Sequence, residues 1–275
     1  MIISLKNSFW QLDIDAKGAR VISLECNHQD KTTKLISSHS HLDSWNESVW
    51  MFPWSNSLKN GTYTFEGIQY ENQQKDPLHG LLKELDFSVV KISDQACSLQ
   101  YLFQNGAHSL FPFAFEITIT FTLHGKGFNI SIDVQNNDHI PIPYSMGWHP
   151  YFELEAIGDK PILCLREVQK STWSLMNDVP TFNQNRENIE LSAQEEMNAL
   201  FALNQGSLYL KGTHGKFNIS TKGFNYLQVF KSMERNALAI EPMTSCNSAL
   251  NNGIGLKVLA PNTSEKFEIE LTFES

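Results

Sequence analysis

Two histidines and one carboxylate sit in distinctive phrases far apart in the chain: Leu78-His79-Gly80, Gly147-Trp148-His149-Pro150-Tyr151-Phe152 and Ile240-Glu241-Pro242. Imidazole titrates near neutral pH without help from its surroundings, and a carboxylate can accept the proton an acid partner's reaction requires. His149 is flanked by Trp148 and Tyr151, whose rings offer flat apolar faces. Proton-moving groups beside such faces suit a neutral sugar, which has apolar C–H faces and reacts at its oxygens. The hypothesis is that the three phrases converge on one pocket. Each also has an ordinary alternative: Glu241 as an exposed strand end before proline, His149 as a core histidine, His79 as a turn residue.

Other chemistries lack their setting. No Gly-x-Ser-x-Gly elbow is present for a serine nucleophile. His39-Ser40-His41-Leu42-Asp43 alternates ligand types, but Ser37, Ser38 and Ser44 around it read as a polar surface loop, so no metal site is assigned. Glycoside hydrolysis needs two carboxylates, and the companions open to Glu241 are Glu153 and Asp133. One carboxylate with histidines points to proton shuttling without hydrolysis.

The 275 residues are 41% hydrophobic and 19% charged with a net charge of −9, enough to bury a substantial core. No basic cluster exists, which argues against nucleic acid and against anionic membranes as partners. No signal peptide or membrane-length apolar run is visible. The four cysteines are scattered without CxxC spacing, as in a reducing compartment. A cytoplasmic monomer or homodimer acting on a small molecule is the expectation, with residues 1–275 as one domain.

The elements that must position these groups are strands. Residues 115–123 alternate apolar and polar side chains without a break, His124 to Gly127 forms a turn, and residues 128–134 alternate again: a β-hairpin. Residues 267–273 repeat the style, and further strands are expected at 98–103, 207–210, 216–220, 226–230 and 238–241. Ser192 to Glu195 has capping-box spacing ahead of Met197, Leu200 and Phe201, which predicts a short helix. There is neither βαβ alternation nor a Gly-rich phosphate loop. The fold class is all-β, one large antiparallel β-sandwich. If Lys231 to Asn236 connects strands 226–230 and 238–241, only registers that align Gln228 with Ala239 are expected to keep Leu227, Val229, Leu238 and Ile240 together in the core. Gln228 and Glu241 are then diagonal neighbours on the opposite face.

Five phrases in fixed order resemble the aldose 1-epimerase (galactose mutarotase) family almost end to end. They are Gly18-Ala19-Arg20-Val21-Ile22-Ser23-Leu24; Phe52-Pro53-Trp54-Ser55-Asn56 with the glycine-bounded stretch 61–67; the two histidine phrases; and Ala239-Ile240-Glu241-Pro242 with Asn247, Ala249, Leu250 and Asn251. The resemblance implies an antiparallel β-supersandwich that interconverts sugar anomers without metal or organic cofactor. In it Glu241 matches the general base, His149 the general acid, His79 a second histidine that binds sugar, and Gln228 a ligand-binding glutamine. A nearby Glu241 carboxylate would raise the His149 proton affinity. Asn56 and Asn198 fall at sugar-binding positions. Ser57 stands where the family commonly has arginine, with Lys59 as a flexible substitute, and Asn198 where it has aspartate, which removes charge-assisted hydrogen bonds to hydroxyls. Those departures favour a rival reading, a non-catalytic sugar-binding or sensor protein.

Overall fold

The computed structural model describes residues 1–28, 31–37, 48–71, 77–171, 179–204 and 207–274. The stretch His39 to Asp43 lies outside them. Among the described residues, nineteen strands are joined by hydrogen bonds, with two further two-stranded pairs, and the ladders run antiparallel. One layer runs through strands Ser88–Ile92, Ala96–Phe103, Phe115–His124, Gly127–Asn136, Ser264–Glu274, Gly215–Lys222 and Ser207–Gly212. The other contains Ile2–Lys6, Trp10–Asp15, Arg20–His28, Lys31–Ser37, Tyr151–Glu153, Ala237–Met243, Tyr226–Lys231 and Met197–Ala202.

Strand Ile162–Lys170 serves both. Ile162 to Leu165 pair in the first layer, a bulge intervenes, and Gln169 and Lys170 pair in the second. Glu167 within the bulge has φ +49°, which turns the strand out of one sheet and into the other. One continuous apolar cluster takes side chains from both layers, and Trp10 and Phe217 meet across it at 6.4 Å.

The alternation at 115–123 and 128–134 produces the expected hairpin, with Ile117, Ile119, Phe121, Ile130, Ile132 and Val134 buried. The other expected strands form too, each extended by a residue or more. The predicted helix does not. Ser192 to Glu195 closes a turn, and Met197–Ala202 is a strand paired along its length with Tyr226–Lys231. Phe201 enters the main core while Leu200 faces the other way, so the apparent helical stripe is split between two faces. Ladder pairing and two-sided burial override the local capping signal.

Strand Ala237–Met243 departs from one-sided burial, since all seven of its residues are buried. Leu238 and Ile240 join the main core, whereas Ala239 and Met243 belong to two separate clusters on the opposite face. That second covered face holds the candidate site. Residues 78–81 reach it by docking their backbone on residues 52–57: His79 donates to the Asn56 carbonyl at 2.8 Å and Leu81 to the Phe52 carbonyl at 2.7 Å. His79 and Gly80 both adopt positive φ, +65° and +68°.

A Cβ on Gly80 would stand 2.0 Å from the Phe52 carbonyl oxygen, while at Gly67 (φ +79°) it would meet nothing within 4 Å. Gly67→Ala should therefore cost only the positive-φ penalty of about 1–2 kcal/mol. Gly80→Ala should add an overpacking penalty of about 1–3 kcal/mol. Urea unfolding midpoints compare the two, and equal losses would show that close approach to Phe52 is not what demands glycine.

Candidate active site

The covered face is built by strand register. Strand Tyr226–Lys231 pairs with Ala237–Met243 so that Tyr226 lies opposite Met243, Gln228 opposite Glu241 and Phe230 opposite Ala239. Gln228 and Glu241 are thus direct partners, two residues away from the alignment expected from sequence. A two-residue slip preserves the facing of every side chain, so core alternation cannot distinguish the two registers. On either side of this polar pair the same face is apolar. One flank is Val49, Met51, Leu200, Met243 and Cys246 with Tyr226 and Phe182 packed on it. The other is Tyr151, Ala237 and Ala239 with Phe230.

His149 comes from strand Gly147–His149, which pairs with Val49–Met51 on one side and with Met243 on the other. Its Nε2 lies 3.4 Å from the Glu241 Oε1, and both side chains are buried. The His79 ring meets the His149 ring edge to face at 5.0 Å, and the His79 Nδ1 lies 3.2 Å from the Met51 sulfur. Tyr151 completes the wall with its ring 5.2 Å from His149. The three phrases therefore meet, and Glu241 is buried, not an exposed strand end.

The remaining expected residues divide. The Gln228 Nε2 donates to the Asn198 Oδ1 at 2.5 Å, so Asn198 orients the glutamine from an exposed position on the neighbouring strand. The Asn56 Nδ2 donates to the Asn247 Oδ1 and lies 3.2 Å from the Met243 sulfur, beside the apolar flank. Ser57 meets the Ser248 hydroxyl at 3.4 Å. Lys59 is exposed, and its backbone N–H binds the Asn251 side chain. Trp148 is a correction. It alternates with His149 and so turns into the main core, stacked on Trp50 at 5.6 Å, where it offers no surface to a ligand.

Sequence reading missed Met51, Met243, Asn247 and Arg235. The guanidinium of Arg235 lies 4.5 Å over the Tyr151 ring and 2.9 Å from the Glu153 Oε1. Its only sequence signal was membership of the loop joining the two site strands.

A second acid near Glu241 is not supplied by either residue considered for it. Asp133 belongs to the other layer, beside Lys266 at 3.4 Å. Glu153 pairs with Ala237, four residues from Glu241 and about 13 Å along the strand. Glycosidase carboxyls are about 5–9.5 Å apart.

Burial dominates the electrostatics. It pushes Glu241 well above the ordinary carboxylate range and His149 down to about 4. The expectation that the carboxylate would raise His149 is overturned, because removing both groups from water penalises both charges. His79 is held down to about 2 by burial and by its neighbours His149 and Lys83. Burial thus favours the uncharged form of each group, the carboxylic acid of Glu241 and the neutral imidazole of His149. The Glu241 Oε2, His149 Nδ1 and Gln228 Oε1 are buried with no hydrogen-bond partner among the described residues. Leaving a buried polar atom unpaired costs about 1–3 kcal/mol, so each of these three atoms retains hydrogen-bonding capacity that the described residues do not use.

A model of the family described as aldose 1-epimerase matches residues 1–272. The chain belongs to the aldose 1-epimerase family. Among its relatives, the uncharacterised protein YihR of Escherichia coli (strain K12) is 24% identical over 226 residues, 76% of this chain and 73% of that protein. A galactose mutarotase-like protein from Clostridium acetobutylicum superposes with a TM-score of 0.83 at 18% identity, over 100% of this chain and 95% of that one. The galactose 1-epimerase of Lactobacillus acidophilus NCFM gives 0.74 at 11% identity, over 99% and 94%. At these identities the structural matches establish the galactose mutarotase-like fold, in agreement with the all-β reading. Among the described residues no helix is long and apolar enough to cross a membrane.

Burial of the pair makes stability depend on pH. Glu241 has a raised folded pKa, so its contribution to stability is complete below the ordinary carboxylate range and is lost as pH climbs toward the raised value. His149 has the opposite sign: its contribution is present above 6.5 and is lost as pH falls through about 4. Glu241→Gln should melt about a few degrees above the parent protein at pH 8, with the gain shrinking toward pH 4. Calorimetric scans across this range check it; a gain independent of pH would contradict the assigned burial effect.

Proposed function

We propose that the protein is a mutarotase, interconverting the α and β anomers of a free aldose or a close derivative. The observation that carries this reading is the buried 3.4 Å contact between His149 and Glu241, with His79 and Gln228 beside it and apolar walls on both flanks. Mutarotation needs one proton removed and one delivered, and the pair holds one proton and one free basic site.

In this reading Glu241 takes the proton from the anomeric hydroxyl while the C1–O5 bond breaks and C1=O1 forms. His149 delivers its proton to O5. Proton count is conserved, since one passes from O1 to Glu241 and one from His149 to O5. Rotation about C1–C2 exposes the other carbonyl face, and reversal of the steps closes the opposite anomer. Sugar hydroxyls donating to the Glu241 Oε2 would favour the carboxylate–imidazolium form that burial alone disfavours. His79, kept neutral, hydrogen-bonds near O5 without adding charge. Gln228, held by Asn198, and Asn56 orient the hydroxyls. Acid and base each contribute typically 10²–10⁴-fold, which suffices for a reaction that already proceeds slowly in water.

Ser57 and the exposed Lys59 supply no guanidinium fork, and this favours the rival reading of a sugar-binding protein without turnover. NMR exchange between anomers across a panel of aldoses separates the two. The mutarotase reading requires accelerated exchange for at least one sugar, with a loss of about 10²-fold or more in Glu241→Gln and in His149→Ala. Binding by calorimetry with no acceleration for any sugar would overturn it.

The pH dependence follows from the pair as a unit. The singly protonated pair is the active form, so kcat/KM should fall below about pH 4, where a second proton occupies His149. It should fall again only above the raised Glu241 value, where the acid is lost. An acid limb at the ordinary histidine value near 6.5 would refute this assignment.

A further inference from the structure

We propose that Arg235 is a positioning residue of this site: clamped by Glu153, its guanidinium braces Tyr151 against His149, and its charge keeps the His149–Glu241 pair from taking a second proton. The inference rests on the acid–base reading above and assigns a part to a residue outside the reacting groups.

The geometry is built rather than incidental. The Arg235 guanidinium lies 4.5 Å over the Tyr151 ring, and that ring lies 5.2 Å from the His149 ring, so the charge is within about 10 Å of the imidazole. Arg235 and Glu153 side chains are only 10% and 21% exposed and meet at 2.9 Å. The loop that carries Arg235 is tied down from several directions. The Lys231 ammonium, buried below it, donates to the Ser232 and Arg235 carbonyls at 2.5 Å. Leu154 N–H reaches the Asn236 carbonyl at 3.0 Å, and Glu234 N–H reaches the Ser232 hydroxyl at 3.1 Å. Strand Tyr226–Lys231, which presents Gln228, therefore continues directly into the segment that holds the guanidinium.

Among the described residues, the titratable groups that face His149 include Glu241 at 3.4 Å, the His79 ring at 5.0 Å and Tyr151, with Arg235 and its partner Glu153 behind the tyrosine. Lys83 acts on His79. Burial is the main reason His149 resists a proton, and the Arg235 charge adds to it. At an effective dielectric constant near 20, a unit charge about 10 Å away changes a proton affinity by about one pH unit. Glu153 tempers this charge and keeps the guanidinium flat on the ring. The arrangement holds the pair in its singly protonated form well into the acid range and gives the sugar a rigid aromatic wall.

Three variants test it: Arg235→Gln, Arg235→Lys and Glu153→Gln, read by NMR titration of the His149 imidazole and by the kcat/KM profile. Arg235→Gln should raise the His149 midpoint, and with it the acid limb, by about one pH unit. Arg235→Lys keeps the charge but not the planar stack, so the midpoint should stay within about 0.3 while KM rises several-fold. Glu153→Gln should produce no upward shift. The proposal is overturned if Arg235→Gln leaves the midpoint unmoved, or if Arg235→Lys or Glu153→Gln raises it as much, since a general loosening would do that. The imidazole titration needs no turnover: a parent protein that exchanges no anomers would defeat the mutarotase reading, while the midpoints would still judge the role of Arg235.

Discussion

Glu241, on a strand covered on both faces, and His149, on the short strand paired to it, stand out of water together, and the second layer accommodates them. A lone buried carboxylate or imidazolium carries a large desolvation penalty. Side by side, with a 3.4 Å contact, the two groups hold one proton without net charge. An acid and a base are thus kept together in a low-dielectric site, each with a buried polar atom that no described residue satisfies.

Strand register turns that constraint into a shaped surface. Tyr226, Gln228 and Phe230 face Met243, Glu241 and Ala239, placing the polar pair between apolar ends. A pyranose has the same character, a ring of hydroxyls around apolar C–H faces. The His79 segment is added from outside the ladder by backbone hydrogen bonds to Phe52 and Asn56, and its two positive-φ residues make the tight approach feasible. Precision at the site comes from main-chain contacts, which leave the side chains free to meet a ligand.

Family membership and site geometry bear on different questions. The family match covers nearly the whole chain, and the fold is that of galactose mutarotase-like proteins. Around the acid–base pair, Ser57, Asn56, Asn198 and Asn247 are neutral hydrogen-bonding groups. Neutral groups recognise hydroxyls by geometry and impose less directional cost on a misfit than a bidentate guanidinium would.

Alternation was legible in the sequence because strand geometry converts period two into face directly: the 115–134 hairpin, the 267–273 strand and the shared facing of Gln228 and Glu241 all follow from it. The three phrases around His79, His149 and Glu241 were legible as chemistry because their residue types are unusual in a strand-rich chain. Register was not, since a two-residue slip leaves every apolar residue in the core. The Met197–Ala202 strand was hidden behind a capping signal that only ladder pairing overrides. Trp148 was assigned to the site by its neighbour and sent into the core by the pleat. The direction of the His149 shift was misjudged because a nearby carboxylate can be inferred from composition, whereas shared burial exists only after both layers close. Residue type and periodicity are local properties, and the sequence carried them; distance, solvent exclusion and the reach of Arg235 belong to the packed whole, and tertiary structure alone decided them.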